Sequence, residues 1–174
     1  TVTVSITSPL SQGEITGGTT YCQLVPVSSA DALTATVEGG TYNGGASTRP
    51  RTYKWEQSAL ASGPWVTASG TNTSANYTPS TATAGTMYYR RTVYAGGCEN
   101  TTEPVAVTIT PSIENSLTSA NQVVCSGESI QPLTGTFSGG EPGDVTYLWE
   151  QSPNGTSSWT DASGDNAGES YSPA

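Results

Sequence analysis

Apolar residues along this chain fall in short alternating runs, and the runs come in pairs. In Tyr53-Lys54-Trp55-Glu56-Gln57-Ser58, the Tyr, Trp and Gln occupy one phase of a two-residue period and the Lys, Glu and Ser the other. Nearly the same six residues return from Tyr147 to Ser152, 94 positions on. The offset persists downstream, matching Trp65 with Trp159, Tyr77 with Tyr171 and Pro79 with Pro173. Alternation predicts a strand with Trp55 or Trp149 on its buried face. The Lys54/Leu148 difference then falls on the opposite face, where solvent tolerates it. A second Trp after a short turn, Trp65 or Trp159, is expected to join the first in the core of a two-sheet sandwich. The predicted core motif is therefore Tyr53, Trp55, Trp65 and Tyr77, repeated as Tyr147, Trp149, Trp159 and Tyr171.

Other runs repeat with slightly different offsets. Thr1 to Thr7 places Val2, Val4 and Ile6 on one face and recurs as Pro104 to Thr110, while Leu33 to Gly40 recurs as Leu133 to Gly140. The offset falls from 103 (Ile6 to Ile109) to 100 (Leu33 to Leu133) to 94 (Tyr53 to Tyr147), which locates extra residues in the Gly/Ser/Thr-rich turns of the first copy. A strand is expected from Thr20 to Val27, carrying Cys22 and Leu24. The run Thr86 to Tyr94 occurs once, with apolar residues in both phases, so alternation does not say which Tyr faces inward. No window sustains apolar residues at helical spacing. The expected fold is all-β: tandem immunoglobulin-like β-sandwich repeats, the second incomplete. Residues 1–7 form a strand of the first or a preceding repeat, 8–110 the first repeat and 111–174 a truncated second.

Composition agrees with short strands and tight turns: 20 Gly and 11 Pro in 174 residues, with 11% charged. The net charge of −9 disfavours nucleic acid and anionic membranes as partners. No signal peptide, membrane-spanning run or lipidation motif is present, and the chain reads as a window of a longer protein. Of the three cysteines, Cys22 matches Cys125, and a counterpart of Cys98 would fall beyond Ala174. One disulfide per repeat, Cys22–Cys98, with Cys125 left single, is the reading this favours, and it implies an oxidising compartment. Such a bridge would stabilise by roughly 4 kcal/mol through loop closure. Three reduced thiols are the other reading.

Candidate chemistry is sparse. The absence of histidine removes the commonest general base. Glu56 and Glu150 invite a paired-carboxylate reading, yet they are repeat equivalents on the outward face, so no catalytic residues are assigned. Asp161, Asp165 and Glu169 are spaced loosely like calcium ligands, but the matching stretch Thr67 to Ala75 has no carboxylate, so no cofactor is assigned and calcium stays a minor reading. Tyr42, in a Gly-rich loop, and Tyr94 are the candidate sugar-stacking residues. Arg90 and Arg91 are expected to make ion pairs across strands, Glu56 being a candidate partner.

The succession Leu-x-x-x-φ-x-Gly-Gly, Tyr-x-Trp-Glu-x-Ser, Trp-Thr, Tyr-x-Pro, Tyr-Tyr-Arg-Arg-x-Val and Gly-Gly-Cys resembles the immunoglobulin-like tandem repeats of very large Bacteroidota cell-surface proteins, including gliding-motility (SprB-like) adhesins. The resemblance implies type IX export, a cell-surface location and a non-catalytic role as stalk or adhesin array. The partners it implies are neighbouring repeats and surface polysaccharide or another surface protein, with no membrane insertion. Two alternatives come from other classes: a carbohydrate-binding module of a secreted enzyme, and a filament subunit assembled by strand exchange, in which the strand Val2 to Thr7 completes a neighbour's open sandwich.

Overall fold

Short strands joined by Gly- and Ser-rich turns make up the regular structure, and no helix occurs among the described residues. The structure is a computed structural model and describes residues 8–40, 50–141, 143 and 145–173. The expected strand at 1–7 and the candidate Tyr42 lie outside those residues. The chain divides into two compact units, Thr1–Pro111 and Ser112–Ala174.

The first unit contains β1 (Ser11–Gln12), β2 (Thr20–Cys22), β3 (Val37–Glu38), β4 (Thr52–Ser58), β5 (Val66–Thr67), β6 (Gly85–Ala95), β7 (Cys98–Thr101) and β8 (Val105–Thr110). One sheet runs β2-β8-β6-β4-β5, with β7 also paired to β6. Its β2–β8 pairing is parallel and the others are antiparallel. The opposing layer is β1–β3, extended by the bridges Thr16–Thr34 and Leu33–Tyr77. The β6–β7 hairpin closes through Gly96 and Gly97 at φ 62° and 84°, the left-handed conformation that a two-residue turn of this hand requires. The fold is all-β and sandwich-like.

Alternation decides what lies between the layers. Tyr53, Trp55 and Gln57 face inward from β4, opposite Val93, Arg91 and Tyr89 of β6. Trp55 and Leu33 have no exposed surface, and Tyr77, Tyr89, Val107 and Ile109 complete the main cluster. The Trp55 indole stacks on Tyr77 at 5.5 Å between centroids, and its Nε1–H donates to the Ser74 carbonyl at 3.0 Å. Tyr77 in turn meets Tyr89 at 5.2 Å. Leu10, Val93 and Ala95 form a second cluster, near the end where the described chain enters the unit. There Gly39 and Gly40 take φ 76° and 72°, and a Cβ on Gly39 would strike the Pro9 carbonyl. The Gly-Gly motif of both repeats is thus a close backbone approach.

Two expectations are corrected. Trp65 does not join Trp55 in the core. Gln57 pairs with Val66, which sets Trp65 beside Ser58 on the outward face, where the Arg90 guanidinium covers it at 4.4 Å from the ring centroid. Its counterpart Trp159 is 51% exposed. No Cys22–Cys98 disulfide forms. Cys22 pairs with Thr110, beside the Gly85 end of β6, whereas Cys98 pairs with Ala95 at the other end. The length of β6 separates them, about 30 Å at strand rise, far beyond what a disulfide spans. Cys22 and Cys125 are exposed.

The second unit contains β9 (Glu114–Leu117), β10 (Leu133–Ser138), β11 (Glu150–Gln151), β12 (Thr160–Asp161) and β13 (Ser170–Tyr171). A β13-β10-β9 sheet corresponds to the smaller layer of the first unit, and β11–β12 corresponds to β4–β5. The internal geometry is duplicated closely. Trp149 stacks on Tyr171 at 5.7 Å and donates to the Gly168 carbonyl at 2.8 Å, and the Tyr171 hydroxyl donates to Ser163 as Tyr77 does to Ser69.

Trp55→Ala should destabilise the first unit by about 3–5 kcal/mol, the cost of emptying a large aromatic site. Trp65→Ala should cost about 1 kcal/mol, chiefly its contact with Arg90. Urea titration of the two variants checks the order. Cys22→Ser should change stability by less than about 0.5 kcal/mol, as for an exposed site, and a reducing agent should leave the thermal midpoint of the wild-type chain unmoved.

Candidate functional site

Adjacent residues on a strand face opposite ways, so Arg90 and Arg91 project from the two faces of β6. Arg90 points outward. Its Nε donates to Glu56 Oε2 at 2.9 Å, and Lys54 Nζ lies 2.7 Å from Glu56 Oε1. Burial by itself would raise the Glu56 carboxyl. Hydrogen bonds from Lys54 and Arg90 outweigh it and hold the group below its ordinary value. A carboxylate kept ionised between two cations has no proton to deliver near neutrality, so this group makes a poor general acid. Hydroxyl pairs Thr92–Thr101 at 2.8 Å and Thr86–Thr108 at 3.0 Å continue the polar outward face.

Arg91 points inward and is 1% exposed. Its Nε donates to Gln12 Oε1 at 2.8 Å, Nη1 to the Ala75 carbonyl at 2.7 Å and Nη2 to the Ala35 carbonyl at 2.7 Å. The guanidinium also lies over the rings of Tyr53 and Trp55, at 5.2 and 5.7 Å. Burial lowers its pKa, and the nearby Tyr53 opposes that. Gln12 completes the network by donating to the Asn100 carbonyl at 2.6 Å. Arg91 thereby ties β6 to β1, to the stretch before β3 and to the segment before Tyr77. Ion pairing of Arg90 with Glu56 matches the sequence expectation, whereas an inward, carbonyl-bound Arg91 does not. The signal was present in the alternation, which cannot place both arginines on one face.

Tyr94 is partly exposed on β6, beside a shallow depression lined by Thr52, Gly97 and Glu99. Tyr53 and Tyr147 are half-buried, Tyr53 against the Leu10, Val93 and Ala95 cluster and Tyr147 edge-on to Phe137. Among the described residues no group of three or more Asp, Glu or Cys is placed to hold a metal ion, and Asp161, Asp165 and Glu169 are all exposed. Among the described residues, none of the candidates is gathered with others into an acid–base or metal constellation. An open cleft of about 500 Å³ lies in the second unit, lined by Tyr147, Trp149, Glu150 and Trp159. In the first unit the corresponding strand β4 is paired along its whole length with β6, whose Arg90 and Arg91 lie over Trp65 and Trp55.

The chain belongs to the family described as a domain of unknown function (DUF8696), whose model matches residues 11–111 and again 114–174. No curated protein and no solved structure matches the chain.

Arg91→Ala should destabilise the first unit by about 3–5 kcal/mol, because it strands carbonyl and amide groups in a buried site. Denaturant unfolding measures this. Burial pushes the Tyr89 hydroxyl up to about 12. The folded state therefore keeps that proton after the unfolded chain has lost it, and stability falls as pH rises from about 10 to about 12. Tyr89→Phe should flatten this alkaline loss by about 2 kcal/mol, read as the pH dependence of the urea midpoint.

Proposed function

We propose that this chain is a non-catalytic structural and adhesive repeat segment of a large bacterial cell-surface protein, acting as stalk or adhesin array with immunoglobulin-like modules. The observation that carries the reading is how the backbone traverses the first unit. Ser8 accepts from Gly40 beside the Ala95 end of β6, whereas β8 finishes at Thr110 beside the Gly85 end. The described chain thus enters at one end of the unit and leaves at the other, as a module in a row must. The parallel β2–β8 pairing, Thr20↔Thr108 to Cys22↔Thr110, joins an early segment of the unit to its last strand at the exit end. Tension along the chain loads those hydrogen bonds in shear, so they resist together and do not break singly.

Strand order supports the immunoglobulin-like assignment. A sheet of the β8-β6-β4-β5 kind, faced by a layer containing β1 and β3, with a buried Trp on β4, follows the arrangement of such sandwiches. Where antibody domains bridge the layers with a disulfide, this unit uses Arg91 to reach Ala35. Export to the surface and contact with neighbouring repeats or surface polysaccharide belong to the same proposal. The acidic balance of −9 suits a long solvent-facing array.

Single-molecule pulling through the two ends of the chain tests the mechanical side of the proposal. The first unit should unfold in one discrete force peak, and Thr108→Pro, which removes a donor facing the Thr19 carbonyl, should lower that peak strongly. Gradual extension with no peak would count against a stalk. Glycan-array binding that survives in wild type and disappears with Tyr94→Ala would favour the carbohydrate-binding alternative.

A further inference from the structure

Between the start of β6 and the loops that face it, the core of the first unit opens into a small, half-enclosed pocket of about 230 Å³. Its floor is apolar: Met87, its cross-strand neighbour Val107, and Ile109 present the inward phase of β6 and β8. Its polar lining is uncharged, with Gln57 from β4, Ser69 after β5, Ser80 and Thr83 before β6, and the nearly buried Tyr89. The lining residues all belong to the first unit, and the depression beside Tyr94 lies at the opposite end of β6.

Both walls are held in place from outside the pocket. The Ser69 N–H donates to Gln57 Oε1 at 3.2 Å, and the Ser69 carbonyl accepts from the Tyr77 hydroxyl at 2.9 Å. The loop before β6 is tied at the Thr81 carbonyl, which accepts from the Leu24 N–H at 2.9 Å. It is tied again at the Ala82 carbonyl, which accepts from Gln23 Nε2 at 3.1 Å. Leu24 takes φ 63° at this tether, in the left-handed region that favours glycine, and its counterpart in the second repeat is Gly127. Backbone strain of this kind gathers at ligand clamps. With its oxygen committed to Ser69, the Gln57 amide has no protein partner for Nε2 among the described residues, and neither have the Ser69 and Thr83 hydroxyls. The Ser80 hydroxyl accepts from the Ala82 N–H at 3.4 Å and keeps its own proton to donate.

We infer that this pocket receives one neutral pyranose ring, the terminal sugar of a glycan. Its volume falls below the range of about 300–1,000 Å³ typical of drug-sized ligands, so it holds a single ring. No Asp, Glu, Lys or Arg lines it, and an entering ion would lose its hydration with no countercharge. A purely apolar group would cut the Gln57 amide and the rim hydroxyls off from water without replacing it. A pyranose offers an apolar C–H face to Met87, Val107 and Ile109. Its perimeter hydroxyls donate and accept, which suits Gln57 Nε2 as donor and the serine and threonine hydroxyls as either. The inference deepens the polysaccharide contact proposed above and rests on that reading for the source of the ring, while the mechanical role of the unit is a separate matter.

The test titrates the full chain, labelled for NMR, with the methyl glycosides of glucose, galactose, mannose and N-acetylglucosamine. At least one should shift the Gln57 side-chain amide, the Ser69 and Thr83 backbone amides and the Met87 methyl together. Saturation is expected in the millimolar range, as about a dozen heavy atoms at ordinary ligand efficiency give. Gln57→Leu should weaken this binding about tenfold through loss of a donor. Thr83→Trp, on an exposed stretch of loop, should fill the pocket and abolish the shifts with the urea midpoint unmoved, which separates a blocked site from a misfolded one. Absence of these shifts with all four glycosides at about 50 mM, well above a millimolar dissociation constant, overturns the inference. So does binding that survives Thr83→Trp, and so does equal binding of cyclohexanol or of methyl glucuronide, because hydroxyls or neutrality would then not matter. A trisaccharide ending in the ring that binds should match its methyl glycoside, and loss of binding with the trisaccharide overturns the assignment to a glycan end. The force peak of the first unit is read independently, so failure of the pocket and failure of the stalk are distinguishable.

Discussion

The first unit is organised around a buried positive charge that has no carboxylate beside it. Arg91 stands at the centre of the longest strand, is 1% exposed, and spends its donors on Gln12, Ala75 and Ala35. Taking a guanidinium out of water is costly, and neutral acceptors recover the cost only if every donor is met with good geometry. That requirement fixes the two layers relative to each other: β1, the approach to β3 and the turn before Tyr77 must each present a carbonyl or amide at one point in space. The aromatic floor of Tyr53 and Trp55 supplies a negative ring face as a further partner. An antibody-type sandwich achieves inter-layer registration with a disulfide; here a hydrogen-bonded cation does so, without dependence on redox conditions.

The outward face of the same strand works by a different rule. Glu56 accepts from Arg90 and Lys54, and Arg90 lies across Trp65. Trp65 is thereby shielded without entering the core. The face stays polar through paired threonines, which spare it the large apolar patch that such a strand-rich surface would otherwise expose. The two arginines of the Tyr-Tyr-Arg-Arg run are thus not duplicates: one registers the layers and the other finishes the surface.

Comparison of the two units separates the geometry that local turns set from that which strand pairing adds. The Trp149–Tyr171 stack and its hydrogen bonds are closed by turns within residues 149–171 and match those of Trp55 and Tyr77. In the first unit β6 adds Arg90 over Trp65 and Arg91 over Trp55.

The period, the all-β class and the inward phase of Tyr53, Trp55 and Gln57 were legible in the residues alone, because strand alternation and repetition are local properties. The Gly-Gly pairs were visible as part of a repeat, but the close backbone approach they permit in both copies emerges only from the fold. The outward turn of Trp65 was not legible, because it depends on the register of β5 against β4, which the intervening turn sets. Nor was the separation of Cys22 from Cys98: two cysteines in one repeat read as a bridge until strand pairing sends them to opposite ends of β6. The inward Arg91 is the clearest case. Its place in the core was available to alternation, but only the convergence of Gln12, Ala35 and Ala75 from distant parts of the chain makes a buried guanidinium tolerable, and that convergence exists only in the folded structure.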